Sequence, residues 1–341
     1  MRPVLGVVTA WAAISVCGVG DVPLTPTSPT ALSEEWPDAE AYLATEFDVE
    51  ERLGSKGTAS MDRSSALAVG VTAELLDKVD IPGTVGVVLG TTSGSAQTQY
   101  EFTRDSLTRR KPYFVNPAVV PFALMNSAAS QCAIWHGITG PNSTIAAGRL
   151  SGLSVLRYGG RLLARGRADA VVCGAVEEHS PTRAWLQRHR EGDRTLGEGA
   201  AVMLLEKPGT SRRILAEAHR VDTRVAVDGD RRAALAACVR RTLDGAGIRI
   251  EDVAAVSVSA PGEGATVAER AALHDVFGET TPKVIDPQDA VGDVGAAIGP
   301  FQLAAALDTP GWVLLTALDE DGTVGSGLIR VPWPQGPGDH V

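Results

Sequence analysis

Short apolar runs of strand length alternate along the chain with longer stretches that carry apolar residues at helical spacing. Val4 to Thr9 and Val85 to Leu89 are runs of the first kind, the second ended by Gly90-Thr91-Thr92-Ser93-Gly94. Fully apolar runs of this length, each leading into helix, predict a parallel sheet covered on both faces. Met61 to Lys78 sets Leu67, Val71, Leu75 and Leu76 on one helical face. Trp11 to Gly20 reads as a loop and helix, and Asp21 to Ala39, rich in Pro, Thr and Ser, as a surface loop. Gln97 to Val120 is irregular, whereas Pro121 to Gly137 is mainly helical. Ser143 to Ala147, Ala170 to Gly174 and Ala200 to Glu206 read as strands, and a helix begins near Arg149 and runs through Leu153, Val155, Leu156, Tyr158 and Leu162.

A polar, basic crossing, Pro208 to Arg213, then interrupts the pattern. Past it come a strand (Ile214 to His219), a helix (Arg231 to Gly245), a strand (Val253 to Ser259) and a helix (Thr266 to Phe277). Lys283 to Ile285 is a short strand, Gly295 to Leu307 a helix, and Trp312 to Leu318 with Gly327 to Val331 a closing hairpin. At 341 residues the chain exceeds what one growing core holds, so division into 1–209 and 210–341 is expected.

Composition narrows the function. Hydrophobic residues make up 44% and charged residues 21%, as in an ordinary soluble protein. A net charge of −10 argues against nucleic acid and against an anionic membrane surface. No apolar run reaches the roughly 20 residues that span a bilayer. Arg2 to Val19 has the cation and apolar middle of a secretory leader, but its better reading is a buried strand followed by a turn. The four cysteines (Cys17, Cys132, Cys173, Cys238) are scattered without a Cys-x-x-Cys pair, which points to reduced, buried thiols in a cytoplasmic protein and to no metal site.

One junction carries candidate chemistry. From Gly140 to Leu153 a short strand enters a tight small-residue turn and leaves as a helix. Such an elbow holds one side chain at a helix N-terminus, where backbone N–H groups and the helix dipole favour a thiolate. The residue at its apex is Arg149.

The stretch Gly140-Pro141-Asn142-Ser143-Thr144-Ile145-Ala146-Ala147-Gly148-Arg149-Leu150-Ser151-Gly152-Leu153 resembles the active-site elbow of the β-ketoacyl synthases, condensing enzymes of the thiolase fold. Gly166 to Glu178 and Leu196 to Glu206 follow in that family's order and spacing. The resemblance implies an α/β, thiolase-like fold of two pseudo-repeated halves in an α-β-α-β-α layering. It also implies an elbow Cys, a His in each of two loops and a Lys before the second. Here Arg149 stands at the elbow, Pro261 in the first loop (Ser259 to Ala265), Asp293 in the second (Val291 to Pro300) and Gln288 in the Lys place. A guanidinium stays protonated and is not a nucleophile, proline has no donor side chain, and an anionic Asp repels an enolate. His136 and His179, the histidines nearest the elbow, read as structural or surface residues.

A ketosynthase-like chain stripped of its catalytic set resembles the chain-length factors of type II polyketide synthases. That implies no cofactor, an active ketosynthase as partner in a heterodimer, and an acyl carrier protein met mainly through that partner. It implies an acyl tunnel at the interface, for which Phe102, Leu107, Tyr113, Phe114, Phe122 and Met125 are candidates, with Leu124 and Ile134 also at the interface. The alternative for these side chains is internal core. The strand Ser143 to Ala147 is the candidate for pairing across the two-fold axis. Asp293 is the candidate partner of a buried Arg149, the alternative being a guanidinium that reaches solvent. A decarboxylase that primes from malonyl groups and a stand-alone thiolase-fold scaffold are the competing readings.

Overall fold

A computed structural model describes residues 4–189, 194–280 and 282–334. Among these, the first set of strands is β1 (Gly6–Ser15), its hairpin arm β2 (Gly18–Gly20), β3 (Val85–Thr91), β4 (Asn142–Ala146), β5 (Ala170–Glu177) and β6 (Gly199–Glu206). The second set is β7 (Ala216–Val225), β8 (Val253–Ser257), β9 (Lys283–Ile285), β10 (Gly311–Leu318) and β11 (Thr323–Val331). Leaving β2 aside, both sets have one order: β1-β6-β5-β3-β4 and β7-β11-β10-β8-β9. Directions repeat too. The first two pairings in each set are antiparallel and the last two parallel. This is the expected duplication, present in topology although no sequence repeat shows it. Gly6, Val7 and Val8 pair with Ala218, Glu217 and Ala216, which joins the two sets.

Helices form three layers around these strands. Strand residues alternate between faces with a period of two, so one strand serves two cores. Val87 and Leu89 of β3 meet α1 (Arg63–Leu76), with Leu67, Val71 and Leu75, on the outer side, while Val88 faces inward. α2 (Ala96–Thr108) follows β3, and α3 (Ser127–His136) joins α1 on that outer side. The inner layer holds α4 (Ser151–Ala164), whose Leu153, Leu156 and Leu163 touch both strand sets. After the short α5 (Pro181–Gln187) come α6 (Arg231–Ala246) and α7 (Glu263–Phe277), which cover the far face of the second set through Leu235, Val239, Leu243 and Leu273. α8 (Ile298–Ala306) lies with α4 in the middle. There Gly152 and Gly299 let two backbones meet: a Cβ on Gly152 would sit 2.5 Å from the Gly299 Cα.

Two expectations need correction. Trp11 to Gly20 is not loop and helix but the continuation of β1 and its hairpin into β2. Ala12, Ala13 and Ile14 are buried and Trp11 half-buried in the middle of the sheet, where strand pairing decides the conformation. The bonding of β1 to β6 and β7 bears out the buried strand read near the start of the chain; Arg2 lies outside the described residues. Finally, the sheet is mixed rather than parallel, because β1 and β6 run against β5. No single helix among the described residues is long and apolar enough to cross a membrane.

Candidate functional site

β4 ends at Ala146, and the chain passes through a single turn, Gly148–Leu150, into α4. Gly148 has φ +50°, and a Cβ there would lie 2.0 Å from Asp319 Oδ2. That crowding is functional in shape, since the same oxygen accepts the Arg149 N–H at 2.7 Å. An N–H at a helix start is a natural receptor for a ligand oxygen. Here an internal carboxylate, 170 positions away in sequence, already occupies it.

The Arg149 side chain turns inward and is only 5% exposed. Its Nη2 meets Asp293 Oδ1 at 2.5 Å. Its Nη1 donates to the Ser259 carbonyl at 2.9 Å and, at 3.4 Å, to Gln288 Oε1. Gln288 in turn donates to the Ala260 carbonyl at 3.0 Å. The three loops predicted to converge do so, and Arg149 fills the space between them rather than reaching solvent. Pro261 is buried beside this group and offers no side-chain donor. Burial tends to raise the Asp293 pKa, but the Arg149 and Arg183 guanidiniums and the Gly295 N–H outweigh it, so the carboxyl is held below its usual value.

A second ring of charge, which sequence reasoning missed, frames the pair. Arg183 of α5 donates to the carbonyls of Glu178, Gly197 and Asp293 at 2.8, 2.6 and 2.8 Å. Glu177 accepts from the Thr92 hydroxyl at 2.6 Å and the Ala296 N–H at 3.1 Å, which ties β5 to the second loop. Burial pushes its carboxyl upward. Burial likewise pushes Glu178 up to about 7, against the Gln97 N–H and Ser95 hydroxyl that it accepts from, with Asp62 and Glu177 adding to the rise. Glu178 thereby anchors the start of α2. Glu269, also raised by burial, accepts from the Ser259 and Ala260 N–H groups and the Thr316 hydroxyl, fixing the first loop.

Four of the described histidines are engaged elsewhere. His136 Nε2 lies 3.0 Å from the Val69 carbonyl, and His179 stacks on Trp36 with Asp38 at 3.3 Å. His219 and His189 lie against Trp312 and Trp185. No cysteine is a ready nucleophile either. All four are free thiols, Cys17 half-buried and the others buried. Burial raises each pKa, that of Cys132 to about 12.

The proposed tunnel and interface side chains separate into two groups. Phe122 is packed within the chain at 8% exposure and Phe102 is half-buried. By contrast Leu107 is 79% exposed, Tyr113 68%, Phe114 49%, Leu124 51%, Met125 50% and Ile134 73%. For these six the core reading is excluded. They lie on α2, α3 and the segment between, and Lys111 covers the rings of Tyr113 and Phe114. The strand read as the pairing edge is β4, the last in its set, bonded to β3 on one side. Asn142 ties it to α3 through the Ala129 carbonyl at 2.7 Å.

A family profile for the β-ketoacyl synthase N-terminal domain matches residues 17–194, more than half of the chain. The chain belongs to the β-ketoacyl synthase family. It is 28% identical over 196 residues to a 3-oxoacyl-(acyl-carrier-protein) synthase 2 of Vibrio harveyi, covering 49% of this chain and 46% of the relative. A synthase of the same description from Staphylococcus aureus is 25% identical over 187 residues, covering 47% of this chain and 46% of the relative. The chain spans about half the length of the curated relatives it matches. Among solved structures, the ishigamide ketosynthase/chain length factor is similar with a TM-score of 0.87 and 34% identity, covering 96% of this chain and 99% of that one. A β-ketoacyl synthase from Burkholderia phymatum shares the fold, with a TM-score of 0.83 at 17% identity over 98% of this chain and 100% of that one.

Within this β-ketoacyl synthase family chain, the elbow joins a guanidinium to a carboxylate. That pair neither attacks a thioester nor donates and recovers a proton near neutrality. It locks three loops in one arrangement.

Proposed function

We propose that this chain is a chain-length-factor-type subunit that carries no acyl group itself. In this reading it pairs with a condensing ketosynthase of a type II polyketide synthase and shapes the acyl tunnel at their interface. The observation that carries the proposal is the buried Arg149–Asp293 pair, which takes the volume and the polarity that a thiolate and imidazoles need. The exposed aromatic and aliphatic surface from Leu107 to Ile134, next to the free edge of β4, supports a protein mate. The 34% identity to a structure named for a ketosynthase and chain length factor supports the same pairing. A carrier protein bearing the growing chain is then met mainly through the mate. The halves 1–209 and 210–341 meet in this reading at the crossing between β6 and β7. A priming decarboxylase would want an imidazole among Arg149, Gln288 and Asp293, where the neighbouring groups are carbonyls and an amide.

Product analysis of the reconstituted pair tests the tunnel. Enlarging Met125 to Trp is expected to shorten the polyketide by at least one extension unit, and trimming Phe102 or Phe114 to Ala to lengthen it, while condensation continues. Phe122, packed beneath this surface, acts through the position of its neighbours. Identical product lengths across all these variants and those at Leu107 and Tyr113 would remove the tunnel from the account.

A further inference from the structure

A cleft of about 410 Å³ opens at the end of the strands remote from Arg149. β10 connects the two places: it starts beside Trp312 in the cleft and ends at Leu318, whose N–H donates to Ser259 near the elbow. Val221, Ile248 and Trp312 form an apolar floor, and Arg157, Arg220 and Arg330 stand around it. The volume falls in the range of sites that enclose small organic molecules.

Its charge does not fit a merely solvated groove. The chain as a whole carries −10, yet three arginines converge here. The Arg157 guanidinium has no ion pair or hydrogen bond among the described residues. Among the described residues the Arg330 guanidinium has Glu217 as its one ion-pair partner, at 3.9 Å, and that carboxylate also lies 3.0 Å from His219. Arg220 is held by Asp222 and lies against α6 at Gly245, where a Cβ would come within 2.4 Å of its guanidinium. Trp312 is fixed by His219 edge-on at 4.6 Å and by the Arg330 guanidinium at 5.9 Å from its ring. A held aromatic ring beside under-neutralised guanidiniums suits a ligand that is planar and apolar at one end and anionic at the other.

We propose that this cleft binds a small planar carboxylate, its ring against Trp312 and its carboxylate facing Arg157 and Arg330. The site is independent of the partner reading, because it shares no residue with the elbow or the exposed surface of α2 and α3. Calorimetric titration of the full chain with naphthoate, naphthamide and inorganic phosphate tests it. Saturable one-to-one binding of naphthoate is expected, with naphthamide and phosphate each weaker by about tenfold or more. Arg157→Gln, a change at a partly exposed position, should weaken naphthoate about tenfold and leave naphthamide unchanged. Arg330→Gln should act likewise, and circular dichroism of both variants checks that the fold is retained. Equal binding of naphthoate and naphthamide, phosphate binding as tightly as naphthoate, no saturable binding, or an unchanged affinity in a folded Arg157→Gln variant would each overturn the proposal.

Discussion

Asp293→Ala is expected to destabilise the folded chain by about 3–5 kcal/mol, the cost of leaving a buried guanidinium without its carboxylate. Arg149 and Asp293 are 5% and 2% exposed, so water does not take over when the partner is removed. The remaining acceptors, the Ser259 carbonyl and Gln288 Oε1, carry no full charge. The double variant Arg149→Gln/Asp293→Asn should recover most of the loss, because it buries no net charge and keeps polar groups facing each other. Chemical denaturation of the three proteins measures both effects. The pH dependence has a defined sign. Asp293 has a lowered folded pKa, so its contribution is complete above the unfolded value of about 3.9 and disappears as pH falls through the lower folded value. The gap between wild type and variant should therefore stay constant from neutrality to about pH 4 and close only in stronger acid. A single variant within about 1 kcal/mol of wild type would mean that the pair does not hold the loops.

Leu107→Asp and Ile134→Asp are each expected to weaken association with a ketosynthase mate by about thirtyfold or more, or about 2 kcal/mol. Both side chains are more than two-thirds exposed in this chain, at 79% and 73%, so its own core loses nothing. At the proposed interface they would lie within an apolar contact, where a carboxylate has no partner and must be desolvated. Sedimentation of the co-expressed pair reads the association, and the denaturation midpoint of the variant chain alone should move by no more than about 0.5 kcal/mol. Unchanged association in both variants would place the mate elsewhere.

How far the sequence carried these conclusions differs from element to element. The Arg149–Asp293 pairing was legible because the family resemblance implied that the two positions face one pocket. The clamp around it was not. Asp319 reaches the Arg149 N–H across 170 positions, and Glu177 reaches Thr92 across 85. Neighbouring acids such as Glu177-Glu178 look like a solvated pair until the fold buries them. Their position at the end of an apolar strand was the one available hint. The β1–β2 hairpin was misread because an apolar stretch without Pro fits helix or strand, and only pairing on both sides distinguishes them. Leu107 and Phe122 show the same ambiguity at the level of burial. Both are apolar residues in adjoining segments, one exposed and one packed, and composition does not separate core from interface.

The most direct measurement locates the covalent intermediate. A thiol-directed acyl analogue is added to this chain co-expressed with the proposed ketosynthase mate, and peptide mass spectrometry maps the adduct. One adduct on the mate's elbow cysteine, with the Gly148-Arg149-Leu150 peptide and all four cysteines of this chain unmodified, is the predicted result. A stoichiometric adduct on Cys17, Cys132, Cys173 or Cys238 of this chain would contradict it.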